Sequence, residues 1–189
     1  RSRRLSLKLN KEKQVRRNTE QTLSESEDYN RALFAQSTIG LALATMDGTL
    51  VDINPAFATI IGRTIKETKK LSYWDITPDK YIDQEKEQLK ILDEKGEYGP
   101  YLKEYIHKNG HLVPVRLKGK IIRQKNIKYI WSSVEDVTEQ KRYENALVNS
   151  ERKFRALVEQ SLTGIYIFEK EKFIYVNKRF CEIFGYSEE

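Results

Sequence analysis

Cysteine, proline, glycine and long apolar runs are all scarce in this sequence. A single cysteine, Cys181, among 189 residues excludes a disulfide within the chain and a thiolate metal cluster, and it suits a reducing compartment. The longest apolar run is Ile39 to Met46. It falls far short of the ~20 residues that a membrane helix needs. No secretory leader pattern is visible. The chain opens on Arg1 and its only methionine is Met46, so further sequence upstream is expected. Catalytic signatures are missing too: there is no G-x-S-x-G, no phosphate-cradling glycine loop and no H-E-x-x-H.

Charge is plentiful but uneven. The net charge is +6, from 34 Lys and Arg against 28 Asp and Glu. Residues Arg1 to Arg17 hold eight basic side chains and one acid, a sum of +7, so everything after them sums to −1. The basicity belongs to an arm and not to a folded body, which argues against a nucleic-acid surface. Basic residues just beyond a membrane span mark its cytoplasmic side. The arm therefore carries the expectation of a cytoplasmic domain anchored through an upstream hydrophobic segment.

An internal repeat organises the rest. "SEDYNRALFAQS" (Ser26 to Ser37) recurs as "SERKFRALVEQS" (Ser150 to Ser161), with seven of twelve positions identical. At that offset of 124 Gly40 matches Gly164. After one deletion the offset is 123, and Asn54, Phe57, Ile60 and Gly62 match Asn177, Phe180, Ile183 and Gly185. The chain thus holds one whole unit and the opening third of another. The expected boundaries are 1–25 for a basic helix or coiled-coil linker, 26–137 for the first unit, 138–160 for a signalling helix, and 161–189 for the truncated copy.

Local patterns give the elements of the first unit. Glu25 to Gln36 reads as a helix. "GLALATMDGTLVDINP" reads as a hairpin around Asp47-Gly48. "PAFATIIG" is a short helix with Pro55 in its first turn and Gly62 at its end. Thr64 and Glu67 have capping-box spacing. "PDKYIDQEKEQLKILDEKG" is a longer helix whose buried side is marked by Ile82, Leu89 and Leu92. Three strands follow, the first two flanking the Asn109-Gly110 turn; Val113, Val115, Leu117, Gly119 and Ile121 alternate on the second. Hairpins at both ends with helices between them make an α+β domain with helices on one face of an antiparallel sheet.

"MDGTLVDINPAFATIIG", "YWDITP", "EYIHKNGHLVPV" and the closing "VEDVTEQKR" together resemble the PAS (sensory box) family, over residues 25–140 and again in the truncated copy. The resemblance implies a five-stranded antiparallel sheet that cups short helices around a small cavity. It implies a sensory module whose output domain, a histidine kinase or a diguanylate cyclase or phosphodiesterase, lies outside these residues. It also implies Asp136, Val137 and Thr138 as the exit through which a signal leaves the sheet. Family members that use flavin photochemistry need a cysteine beside the flavin, and Cys181 stands instead in the second copy, in place of Ala58. Haem members take an axial histidine from the long helix, which has none; His107 and His111 flank the hairpin turn. No cofactor is assigned.

The remaining ligand candidates are Asn54, Phe57, Trp74, Tyr81, Trp131, Ser132 and Ser133, a mostly apolar set with a few polar groups, as small-molecule sites require. Asp75, Asp79 and Asp83 cluster, but they read as turn and cap residues and no catalytic role is assigned. The rival class of function is a ligand-free dimerisation or spacer domain. Gln140, Tyr143, Leu147, Ser150 or Glu151, Phe154 and Leu157 fall at three- and four-residue steps, a heptad-like seam that predicts a homodimer through the flanking helices. Arg16, Thr19, Leu23, Asn30 and Leu33 repeat the frame with poorer occupants. The first helix is expected to lie across the outer face of the sheet, with Leu33 or Phe34 near Tyr129 or Trp131.

Overall fold

The computed structural model describes residues 2–186, and side chains from residue 11 onward within them. It divides into two compact units, residues 1–137 and 138–189.

The first unit opens with helix α1 (Ser2–Gln36), which runs unbroken through residue 25. Its described side chains are exposed up to Leu33. The ring of Phe34 lies 5.7 Å from that of Trp131, one of the contacts expected between this helix and the sheet. Leu33 faces solvent.

Strands β1 (Gly40–Thr45) and β2 (Leu50–Ile53) form the first hairpin. Helices α2 (Pro55–Ile60) and α3 (Ile65–Thr68) follow. Residues 72–77 form a turn segment that follows the Thr49–Ser72 bridge, and in it Ser72 and Asp75 cap one another. Helix α4 (Ile82–Lys95) ends on Gly96 in the left-handed region. Strands β3 (Glu97–Ile106), β4 (Leu112–Gln124) and β5 (Ile127–Asp136) complete an antiparallel sheet of order β2-β1-β5-β4-β3. Pairing of β1 with β5 joins the two ends of the unit. The α+β, five-stranded architecture is as the sequence patterns predict.

Strand alternation puts Ala42, Ala44, Tyr98, Tyr105, Val115, Leu117, Ile130 and Val134 on the inner face, where Phe57, Ile61, Ile76 and Leu92 meet them. Gly62 shows why a side chain is excluded at the end of α2. Its φ is +67°, and a Cβ there would stand 1.9 Å from the ring of His107.

Helix α5 (Thr138–Glu159), hairpin β6 (Tyr166–Glu169) and β7 (Lys172–Val176), and helix α6 (Lys178–Phe184) make the second unit. Tyr166, Phe168, Phe173, Phe180 and Phe184 pack edge-on or tilted against one another around an open hollow of about 850 Å³. Through the repeat they correspond to Ala42, Ala44, Leu50, Phe57 and Ile61, all buried in the first unit. The hollow is therefore the core face of the first unit repeated without its cover.

Candidate functional site

The inner face of the first unit carries a polar cluster that the apolar patterns hide. Glu85 sits on α4 at 7% exposure and Lys103 on β3 at 2%. Lys103 Nζ donates to Glu85 Oε2 at 2.5 Å and to Thr77 Oγ1 at 3.0 Å, and lies 4.8 Å from the centre of the Tyr105 ring. Tyr101 Oη donates to the same Glu85 oxygen at 2.8 Å. Burial lowers the pKa of Lys103, and the neighbouring carboxylate opposes that shift. Tyr73, Tyr98, Tyr101 and Tyr105 are all pushed up, chiefly by burial, with the charge of Glu85 adding to it. Their hydroxyls stay protonated and able to donate hydrogen bonds.

Beside this pair, Tyr98 Oη and Ser132 Oγ are 2.7 Å apart and share a hydrogen bond. Gly119 allows it, because a Cβ at that position would stand 2.7 Å from the Tyr98 ring. Tyr73, Glu85, Tyr98, Tyr105 and Ser132, with Phe57, Leu89 and small residues of β1, line a cavity of about 20 Å³.

Of the residues expected to form a ligand site, Phe57 and Ser132 are the two that line this cavity. Asn54 is fully buried, and its amide is engaged by the backbone around it. Trp74 lies outside the lining, with its ring 5.0 Å from that of Tyr73, the neighbour that takes the expected place. Tyr81 donates to Glu104 at 3.2 Å. Trp131 and Ser133 point to the opposite face of β5 from Ser132, as the two-residue period of a strand requires. There they line an outer groove with Gly99, Pro100, Lys118 and Lys120. Asp136 ends β5, Val137 is buried with its N–H bonded to the Pro114 carbonyl at 3.0 Å, and Thr138 is the first residue of α5.

His107 and His111 stack with ring centroids 4.2 Å apart. Among the described residues no group of three or more His, Cys, Asp or Glu could hold a metal ion. Cys181 is buried in α6.

The α3 end of the unit is held electrostatically. Glu67 closes the capping box with Thr64, and its other oxygen accepts from Lys108 Nζ at 2.8 Å, which ties α3 to the β3–β4 turn. The Lys108 bond, followed by those from Thr64, holds the Glu67 carboxyl at about 2, against an ordinary 4.5. A carboxylate whose folded pKa is depressed contributes stability above its unfolded value. That contribution is lost as pH falls from 4.5 through about 2. In Lys108→Met the Glu67 carboxyl should titrate nearer 4.5 by NMR. An unchanged midpoint would remove Lys108 as the main cause.

Comparison with known proteins adds the following. A PAS domain family model matches residues 38–139, more than half of the chain, and a second PAS domain model matches residues 152–189. The probable diguanylate cyclase DgcE of Escherichia coli is 29% identical over 153 residues, which is 79% of this chain and 14% of that protein. The sensor histidine kinase TmoS of Ectopseudomonas mendocina is 29% identical over 129 residues, 66% of this chain and 13% of that protein. The chain thus spans about a seventh of the length of these relatives. Among solved structures, a PAS domain from Colwellia psychrerythraea superposes with a TM-score of 0.53 at 13% identity, covering 59% of this chain and 97% of that one. That likeness concerns the fold.

Proposed function

The chain belongs to the PAS domain family, and from that premise we propose that it is a sensory module in a larger signalling protein, relaying an input from the first unit through α5. The output would be a histidine kinase or a cyclic-di-GMP enzyme outside these residues. The observation that carries this reading is the junction at Asp136, Val137 and Thr138. A strand in the middle of the sheet runs into a 22-residue helix with one buried, backbone-bonded residue between them. No glycine or proline absorbs a displacement there. The second unit reads as a further copy of the same fold, whose aromatic face three later strands would cover.

For the input we favour a small polar molecule at the Tyr73, Glu85, Tyr98 and Ser132 cluster, because those groups present hydrogen-bonding capacity at an otherwise apolar interior. A cavity of about 20 Å³ favours the second reading, a ligand-free relay and dimerisation domain. Mass spectrometry of the denatured, purified protein separates the two. A co-purifying organic molecule in stoichiometric amount supports ligand sensing, and its consistent absence supports the relay.

The partner in this reading is a second copy. Tyr143, Leu147, Phe154 and Leu157 are 62–74% exposed along α5 and follow the heptad steps. Leu147→Asp with Phe154→Asp places charges on that seam and should weaken self-association at least tenfold, at about 1.4 kcal/mol per tenfold change. Equal sedimentation of wild type and double variant would remove the seam from the argument. No helix among the described residues is long and apolar enough to cross a membrane. The anchor proposed here is a hydrophobic segment preceding the basic arm. The side chains of the first ten residues of that arm lie outside those described.

A further inference from the structure

The core cavity of the first unit has a volume of about 20 Å³. A buried water needs roughly 10–15 Å³ of such space and two to four polar partners. Tyr73, Glu85, Tyr98, Tyr105 and Ser132 are the polar residues of its lining. Tyr73 is 7% exposed, and its hydroxyl is buried with no hydrogen-bond partner in the protein. Burying a hydroxyl in that state is unfavourable. Glu85 receives Lys103 and Tyr101 on Oε2, which leaves Oε1 as an acceptor. Tyr98 and Ser132 bring two hydroxyl protons to the one bond between them, so one proton remains to donate.

We propose that this cavity is a binding site for a single water molecule, held by the Tyr73 hydroxyl, Glu85 Oε1 and the spare proton of the Tyr98–Ser132 pair. One donor, one acceptor and one group able to act as either match what a water offers. Glu85 is the one charged residue of the lining, and Lys103, outside the lining, compensates it at 2.5 Å, so a neutral guest suits the site better than an ion. The water joins three elements: the 72–77 turn, α4, and β5, which leads to α5. A larger molecule has to displace it and push Glu85 and Leu89 of α4 outward. That last consequence rests on the sensory reading above, whereas the water site itself does not.

The test compares wild type with Tyr73→Phe, using water-oxygen magnetic relaxation dispersion to count long-lived waters and calorimetry for Tm. If the water is held, Tyr73→Phe loses one long-lived water and Tm falls by roughly 2–4 °C, because the guest loses a partner. If the cavity is dry, deleting an unpartnered hydroxyl leaves the count unchanged and raises Tm, which overturns the proposal. Ser132→Ala provides a second variant with the same expected loss of one water. Both measurements use protein shown by mass spectrometry to be free of organic ligand, so the water site and the sensory reading fail separately.

Discussion

Lys103→Met should be the most damaging single substitution in the first unit, costing about 3–5 kcal/mol, because it strands a buried carboxylate. Methionine keeps most of the lysine stem, so packing against Tyr105 is largely preserved and the effect reports the lost charge. What remains is Glu85 with its oxygens in an apolar interior and Tyr101 as the nearest donor. A loss of that size is a large fraction of the 5–15 kcal/mol by which an ordinary domain is stable. The double variant Glu85→Leu with Lys103→Met removes both charges and should recover most of the loss, since a well-packed apolar pair often replaces a buried ion pair at little cost. Recovery should be incomplete, because Tyr101 then has no carboxylate to donate to. Urea unfolding of the two proteins decides the point. A single variant within about 1 kcal/mol of wild type would mean that the pair is solvated in solution and is not a core feature.

The same pair shows what the sequence conveys and what it conceals. Hairpin turns, the α2 stop at Gly62 and the Thr64–Glu67 box were readable because each depends on a local backbone requirement. The repeat fixed equivalent positions without any tertiary information: Asn54 and Asn177 both cap helices, and Gly62 and Gly185 both take positive φ. The polar cluster is not legible from the apolar positions alone, because both of its charges are buried. Yet Glu85 lies three residues after Ile82 and four before Leu89, on the stripe of α4 that those leucine and isoleucine positions define. Lys103 lies between Tyr101 and Tyr105 at the two-residue period of β3. A charge of each sign, each on the apolar face of its own element, was the available signal. The candidate residues of β5 divide between its two faces, Ser132 inward and Trp131 and Ser133 outward. Trp131, Ser132 and Ser133 were grouped although consecutive strand residues point to opposite faces.

Asn54→Ala is the second large effect expected, and it bears on whether this residue serves a ligand or the fold. Asn54 Oδ1 accepts from the Leu41 N–H at 2.8 Å and from the Phe57 N–H at 2.9 Å, while Nδ2 donates to the Ile39 carbonyl at 2.9 Å. One side chain therefore caps α2 and fastens it to the start of β1. Loss of a helix cap costs about 0.5–2 kcal/mol and each buried group left unpaired about 1–3 kcal/mol, so a combined loss of about 3 kcal/mol is expected. Asn54→Asp should keep both accepted bonds but set a carboxylate oxygen against the Ile39 carbonyl, so it should restore protection of the Phe57 amide without restoring full stability. If instead Asn54→Ala leaves stability unchanged and abolishes binding of a small molecule, the ligand assignment is right and the structural one is wrong. Asn177 repeats the arrangement with the Ile165 and Phe180 N–H groups at 2.8 and 3.0 Å, but its Nδ2 also donates to the Val158 carbonyl in the last turn of α5, at 2.8 Å. Through the repeat Val158 corresponds to Phe34, whereas Asn54 reaches only Ser37 on that side, at 3.5 Å. In the second unit the conserved geometry of the cap is thus extended to grip the helix that enters it, and Glu159 adds a bond from the Lys178 N–H at 3.0 Å. Asn177→Ala should therefore speed hydrogen exchange at the Gln160 and Ser161 amides as well as at Phe180, whereas Asn54→Ala should leave the end of α1 unaffected. Equal behaviour of the two helix ends would show that the extra bond does not couple α5 to its hairpin.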